Sequence, residues 1–422
     1  MKFDTICVQG AYQPKSTDSR VVPLTQSTTY TYDTSKELAH LFDVPKDGHI
    51  YTRISNPTTD LFEKKVTMLE GGVGAMACSS GMAATMASII NVAKQGDNIL
   101  SMNTIYGGTF NLLKHTLPNF GIETRFFSPD MNSAEIEKLI DKKTKLMFAE
   151  TIANPSMNVF DFEKFVPICK KHGVVLIIDN TLTTPALIRP FEFGANVVIH
   201  STTKYLDGHA SAVGGIIVDG GNFKFEGNER YKDFYTPDES YHGITYIKEG
   251  GVAAYILKAR MQLMRDMGLT PSPFNSWLTN LGSETLHLRM ERHSSNALAI
   301  AKMLEKHKKV ESVLYSGLEH DAWHNITKKY YKKGVGGMLV CIIKGGREKA
   351  EKFIEGLKLI KQVTHIADVR SCVLHPATTT HRQLSDADLE KAGILPGLVR
   401  LSIGIEDVSD LINDIENALN KI

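Results

Sequence analysis

From about residue 60 onward the chain repeats one pattern: a helical stretch, a turn, then a short run of consecutive apolar residues. Unbroken apolar runs of strand length, rather than alternating ones, mark strands covered on both faces. That pattern restricts the fold more than any other feature. It calls for a mostly parallel sheet with helices on both sides. Helices are expected at Asp60 to Leu69, Ser79 to Lys94, Thr109 to Leu117, Ser133 to Ile140 and Glu163 to His172. The strands expected between and after them are Ile99 to Leu100, Glu123 to Phe127, Leu146 to Phe148, Val174 to Ile178, Val197 to Ile199 and Ile216 to Val218. Residues 220–247 read as a polar, aromatic-rich loop, and one long helix is expected from Pro273 to Leu304. The alternation then resumes with a strand at Gly337 to Ile343, a helix at Arg347 to Leu357, a strand at Leu398 to Ile403 and a last helix from Val408.

The first sixty residues differ. They are rich in Thr, Ser, Tyr and Asp, and Pro14, Pro23, Pro45 and Pro57 interrupt them. They read as an extended arm without a core of its own, of the kind that packs on a neighbouring subunit. The expected organisation is therefore an arm over 1–60, a large α/β domain over 61–272 and a smaller α/β domain over 273–422.

With 48 Lys+Arg against 47 Asp+Glu, the net charge of +1 argues against a nucleic-acid platform or a polybasic membrane binder. No apolar run approaches the roughly 18 residues of a membrane span, and Met1 to Thr5 lacks the apolar stretch of a signal peptide. The five cysteines are scattered and form no CxxC pair, which fits a reducing cytoplasm. His287, His293, His375 and His381 form no HExxH pattern, so no metal is expected. Gly71-Gly72-Val73-Gly74 follows no predicted strand and lacks GxGxxG spacing, which argues against a nicotinamide dehydrogenase.

Three strand ends carry the polar residues. Glu150-Thr151 through Asn154-Pro155 follows one strand, Asp179-Asn180-Thr181 the next, and His200-Ser201-Thr202-Thr203-Lys204 the third. In open α/β sheets ligands bind at the carboxyl ends of the strands. A lysine partly desolvated there has a lowered pKa and a nucleophilic amine. An aspartate ending an aliphatic run needs a cationic partner, and a pyridinium nitrogen would serve. Ser80-Gly81-Met82 opens a helix whose N-terminus favours an anion, Ser201 and Thr203 offer hydroxyls, and Tyr106 follows a strand where it can stack on a ring. A pyridoxal-phosphate site can thus be placed. On spacing alone, Asp179 fits a helix cap or turn equally well, and Lys204 a solvated surface charge.

Those same residues carry a resemblance. Asp179-Asn180-Thr181 followed by His200-Ser201-Thr202-Thr203-Lys204-Tyr205 resembles the signature of the Cys/Met-metabolism pyridoxal-phosphate enzymes. The likeness extends to Tyr51-Thr52-Arg53-Ile54-Ser55-Asn56-Pro57, Ser79-Ser80-Gly81-Met82, Ile105-Tyr106-Gly107-Gly108, His375-Pro376-Ala377-Thr378-Thr379-Thr380-His381 and Arg400-Leu401-Ser402. It implies the fold type I (aspartate-aminotransferase-like) architecture, a mostly parallel seven-stranded sheet with a smaller C-terminal α/β domain. It also implies pyridoxal 5′-phosphate held covalently on Lys204. Asp179 would then face the pyridine nitrogen, Tyr106 would stack on the ring and assist proton transfer, and Asn154 would contact the ring hydroxyl. Gly81, Met82, Ser201 and Thr203 would hold the phosphate, completed by Tyr51 and Arg53 of an adjacent subunit. Arg400, with Ser371, would hold the substrate carboxylate.

Within the family, Pro237-Asp238-Glu239-Ser240-Tyr241-His242-Gly243 resembles the O-acetylhomoserine sulfhydrylase branch. That branch implies a transferase of methionine biosynthesis, exchanging the acetate of O-acetyl-L-homoserine for sulfide or methanethiol. A cytoplasmic homotetramer of two catalytic dimers is implied as well. Methionine γ-lyase and cystathionine γ-synthase are the rivals within the family. The lyases commonly carry Cys two residues after the stacking tyrosine, where this chain has Gly108.

Overall fold

In the computed structural model, residues 1–43, 48–379, 382, 389 and 395–422 are described. Two sheets organise them. The first has seven strands: β1 (Gly74–Cys78), β2 (Asn98–Met102), β3 (Glu123–Phe127), β4 (Thr144–Glu150), β5 (Val175–Asp179), β6 (Val197–His200) and β7 (Gly215–Asp219). Their spatial order is β1-β7-β6-β5-β4-β2-β3, with β7 antiparallel to both its neighbours and all other pairs parallel. Every residue of β2, β4, β6 and β7 is buried, as unbroken apolar runs require. The expected mostly parallel seven-stranded sheet is present.

The second sheet contains β8 (Val310–Leu314), β9 (Met338–Ile343), β10 (Lys361–Gln362), β11 (Cys372–Leu374) and β12 (Leu398–Ser402), in the order β10-β11-β12-β9-β8. Only β10 and β11 pair in parallel.

Local chemistry sets the helix ends that matter for the site. Asn56 caps the helix Pro57–Glu70 by accepting from the Thr58 and Thr59 N–H groups, and Gly71 ends it at φ 79°. Ser80 caps the helix Gly81–Ile90 by accepting from Ala83 N–H at 3.1 Å.

Several expectations fail for identifiable reasons. The glycine-rich stretch runs directly into β1, a strand whose small residues (Gly-Ala-Met-Ala-Cys) carry little β signal. The long helix expected from Pro273 is two, Pro273–Ser283 and Leu286–Lys306. Around the break, Ser283 Oγ donates to the Asn280 carbonyl (2.6 Å) and Arg289 Nη2 to the Gly282 carbonyl (2.8 Å), offering the backbone partners other than the helix ladder. The segment expected as Thr109 to Leu117 is a short helix, Gly107–Asn111, passing into a π-helical turn, Leu112–Thr116. The helices opening at Gly81 and Ser133 stop early, at Ile90 and Glu137. The loop at 220–247 contains the 3-10 segments Glu229–Phe234 and Glu239–Tyr241, because Tyr231 and Phe234 bury their rings against Phe225. The N-terminal segment is not extended throughout: the helix Phe3–Gln9 buries Ile6 and Cys7 in the main core.

Candidate functional site

Parallel pairing aligns the strand ends. Glu150, the last residue of β4, lies opposite Asp179, the last residue of β5, and Asp179 also pairs with Ile199 of β6. The turns leaving these strands therefore open onto one edge, where they border a cavity of about 240 Å³. Gly81, Met82, Tyr106, Asn154, Asp179, Ser201, Thr203, Lys204 and Arg400 all reach its wall, although they come from positions more than three hundred residues apart. Tyr51, Arg53 and Ser371 do not. Tyr51 and Arg53 are exposed, with the Arg53 guanidinium 5.5 Å from the Tyr51 ring centre and its Nη1 donating to the Arg265 carbonyl. Ser371 is committed elsewhere. Its Oγ donates to Glu406 Oε2 (2.9 Å), its N–H to Glu406 Oε1 (2.6 Å), and the Gly404 N–H donates to its Oγ (2.8 Å). Of the His375–His381 motif, Thr380 and His381 lie outside the described residues.

The electrostatics follow from burial. Desolvation lowers the Lys204 pKa, and the nearby Arg400 guanidinium lowers it further, so the neutral amine becomes more accessible than on a surface lysine. Arg400 is itself buried, and that lowers its pKa; its Nη1 donates to Asn154 Oδ1 at 3.4 Å. Asp179 is raised by burial, partly offset by hydrogen bonds from Thr181, whose N–H donates to Asp179 Oδ1 at 2.9 Å. No cationic side chain bonds Asp179 among the described residues.

Two further residues, to which the sequence reading gave no role, contact Tyr106 and Lys204. Glu150 is buried and its carboxyl is pushed well up, first by desolvation and then by Asp179 beside it. Its Oε1 accepts the Tyr106 N–H at 2.6 Å, which ties the turn carrying the Tyr106 ring to the end of β4. The sequence shows only that an acid ends the β4 segment; its place opposite Asp179 comes from the strand register. His365, from the segment before β11, places Nδ1 3.2 Å from Lys204 Nζ. A lone histidine in a loop carries no such signal.

Gly81 meets the wall too closely for any side chain. A Cβ there would lie 2.6 Å from Ser201 Cβ and 2.8 Å from Ser201 Oγ. The absence of a side chain lets Ser201 pack against the first turn of a ten-residue helix whose first two residues line the cavity.

With that geometry, the comparisons with known proteins become specific. The family described as "Cys/Met metabolism PLP-dependent enzyme" matches residues 4–420. The chain belongs to this family. It is 45% identical over 432 residues to an O-acetyl-L-homoserine sulfhydrylase of Leptospira meyeri, covering 100% of this chain and 97% of that one. It is 42% identical to O-acetyl-L-homoserine sulfhydrylase 1 of Thermus thermophilus, with 99% and 100% covered. Its fold superposes with a TM-score of 0.95 and 39% identity on a putative O-acetylhomoserine (thiol)-lyase of Campylobacter jejuni, covering 100% of both chains. That crystal structure contains N′-pyridoxyl-lysine-5′-monophosphate.

As a member of the Cys/Met metabolism family this chain is an enzyme of the fold type I class, and its cofactor is pyridoxal 5′-phosphate. The cavity fits that group by its own chemistry. It offers a helix N-terminus that opens on a glycine, a desolvated amine, and a desolvated carboxyl that no lysine or arginine bonds among the described residues. No helix among the described residues is long and apolar enough to cross a membrane.

Proposed function

We propose that this enzyme transfers the aminocarboxypropyl group of O-acetyl-L-homoserine to sulfide, giving L-homocysteine and acetate. The observation that carries the reading is the meeting of Lys204, Asp179, Tyr106 and Arg400 on one cavity wall, in a chain 45% identical to an enzyme of that name. In this reading Lys204 Nζ holds the cofactor between turnovers. Gly81 and Met82 N–H groups and the Ser201 hydroxyl bind its phosphate, joined by the Thr203 hydroxyl once it turns from the Gly214 carbonyl to which it donates at 3.2 Å, and the Asp179 carboxylate faces its pyridine nitrogen. Asn154 contacts the ring hydroxyl, and Tyr106 covers the ring face. Bound pyridoxal phosphate draws electrons from the substrate's α-carbon and so acidifies the hydrogens on Cα and then on Cβ.

The protein's own groups do the rest. Lys204, displaced by the substrate amine, becomes a free base whose lowered pKa lets it take the Cα proton, and its flexible stem lets it reach Cβ next. Loss of the Cβ proton expels acetate from Cγ, and sulfide adds at the carbon acetate leaves. Lys204 then returns the protons. Arg400 grips the substrate carboxylate as a bidentate fork. Ser371 is spent on Glu406 and Gly404, so the carboxylate falls to Arg400 and neighbouring backbone.

Tyr51 and Arg53 lie off the cavity of their own chain and would complete the phosphate site of a second copy, which makes a dimer the smallest active unit and a homotetramer of two such dimers the expected assembly. The arm over 1–60, the cofactor domain over 61–272 and the smaller domain over 273–422 then have separate tasks, in a cytoplasmic enzyme of methionine biosynthesis. The test is a three-way assay of the purified holoenzyme: O-acetylhomoserine with sulfide, O-succinylhomoserine with cysteine, and methionine alone. Homocysteine should form fastest from the first. Faster turnover of the second or third would replace this reading with cystathionine γ-synthase or methionine γ-lyase. Running the first mixture with methanethiol ranks the two thiols.

A further inference from the structure

His365 has no part in the reading above, yet Lys204 Nζ has a hydrogen-bond contact with it, Nδ1 at 3.2 Å. The backbone that carries the imidazole is held at two points. Cys372 Sγ donates to the His365 carbonyl at 3.2 Å, and two residues on, the Ala367 N–H donates to Ser402 Oγ at 2.8 Å. These bonds tie the segment before β11 to β11 and β12, the strand that also carries Arg400. The ring's other nitrogen, Nε2, is buried and has no partner among the described residues. Among the described residues the ring's one polar contact is therefore with Lys204.

The charges around the pair decide how it works. Burial lowers the His365 pKa, and the Lys204 charge lowers it again, against weaker upward pulls from Asp368 and Asp207 and a downward one from Arg370. The imidazole is then neutral at neutral pH. In the tautomer that carries its proton on Nε2, Nδ1 is an acceptor, and the ammonium form of Lys204, which has only N–H donors, donates to it. The groups facing Lys204 itself are Arg400, which opposes its protonation, and Cys372, which favours it.

We propose that His365 is a positioning residue for Lys204, accepting a hydrogen bond from its ammonium form through Nδ1. This rests on the assignment of Lys204 as the reacting lysine. Every time Lys204 takes a proton from carbon, it must hold that proton beside Arg400 in a desolvated cavity, where protonation is disfavoured. The acceptor offsets part of that penalty, and it fixes where the loaded ammonium points. A bond to a charged group made in a partly buried place corresponds to a shift of about one pH unit, roughly tenfold in proton affinity.

The test reads Lys204 directly, without turnover. In full-length protein freed of cofactor, the rate at which an amine-selective reagent labels Lys204 is followed against pH by peptide mass spectrometry. In His365→Ala the midpoint should fall by about one pH unit, because the ammonium loses its acceptor. His365→Asn places an amide oxygen near the position of Nδ1 and should restore most of it. An unchanged midpoint in His365→Ala overturns the proposal. Should that variant fail to fold, judged by circular dichroism, the ¹⁵N resonance of His365 Nδ1 decides instead. It should move in Lys204→Ala, and a resonance that stays in place refutes the contact. In the holoenzyme His365→Ala should lower kcat and leave the KM for O-acetylhomoserine within about twofold, since Arg400 still binds the carboxylate. Because the labelling needs neither cofactor nor substrate, its failure leaves the assignment of Lys204 standing, whereas loss of cofactor attachment from Lys204 would remove both.

Discussion

Gly81→Ala is the sharpest perturbation of the cofactor cradle. An added Cβ would sit 2.6 Å from Ser201 Cβ, 2.8 Å from Ser201 Oγ and 3.0 Å from Ser201 Cα. Ordinary carbon–carbon contact is about 3.5–4.0 Å, so the two walls must separate by about 1 Å. Neither is the loose end of a long side chain. One is the first turn of a capped helix, and the other is fixed through the Ser201 N–H, which donates to Thr181 Oγ1 at 2.8 Å. The strain should cost about 1–3 kcal/mol of stability. For a chain of 422 residues, at about 2.1 cal/mol/K per residue, that lowers Tm by about 1–3 °C. The larger effect falls on binding. Losing one hydrogen bond to the charged phosphate is worth about 1.5–3 kcal/mol, so the affinity for pyridoxal phosphate should fall about tenfold to a hundredfold. Titrating cofactor-free protein with pyridoxal phosphate, read by visible absorbance, measures it. Wild-type affinity in Gly81→Ala would refute the assignment of this helix end as the phosphate cradle.

Three other outcomes follow from the same geometry. Arg400→Lys replaces a planar fork by a single point donor, so the KM for O-acetylhomoserine should rise about tenfold or more while the cofactor spectrum is retained. Gly108→Cys should lower kcat, because a Cβ there would lie 2.5 Å from Tyr106 Cε1 and push the ring aside; steady-state kinetics and the cofactor's absorbance maximum check it. Glu150 has its folded pKa raised, so the stability it contributes by keeping its proton is present below its unfolded value and is lost as the pH rises through the raised one. Each unit is worth about 1.4 kcal/mol, so cofactor-free Glu150→Gln, which keeps an oxygen for the Tyr106 N–H, should gain stability over wild type as the pH rises above the ordinary carboxylate range, measured by thermal melts at a series of pH values.

What the sequence made legible was whatever leaves a run or a terminus. Buried strands are unbroken apolar stretches, so β4, β5 and β7 could be found, and their parallel alignment brings Asp179 and Lys204 to one edge. Arg400 could be placed only through family likeness, because its strand belongs to the second sheet and nothing local says that it turns back to the first. β1 was missed because it is built from small residues, and β8 because its residues are largely exposed. The break between Ser283 and Leu286 depends on carbonyls captured by Ser283 and Arg289, contacts that helix periodicity does not report. Glu150 was hidden in plain view, since its part appears only when β4 is laid in register against β5. His365 depends on a contact across 161 positions of sequence and has no local signature.

The central claim is that Lys204 carries the cofactor. Treating the yellow holoenzyme with borohydride fixes pyridoxal phosphate to whichever amine holds it, and digestion followed by mass spectrometry locates that amine. The account predicts the pyridoxyl phosphate mass on the peptide containing Ser201 to Tyr205, at Lys204, and no such adduct in Lys204→Ala. A label on another lysine, such as the buried Lys65 or Lys258, would contradict it.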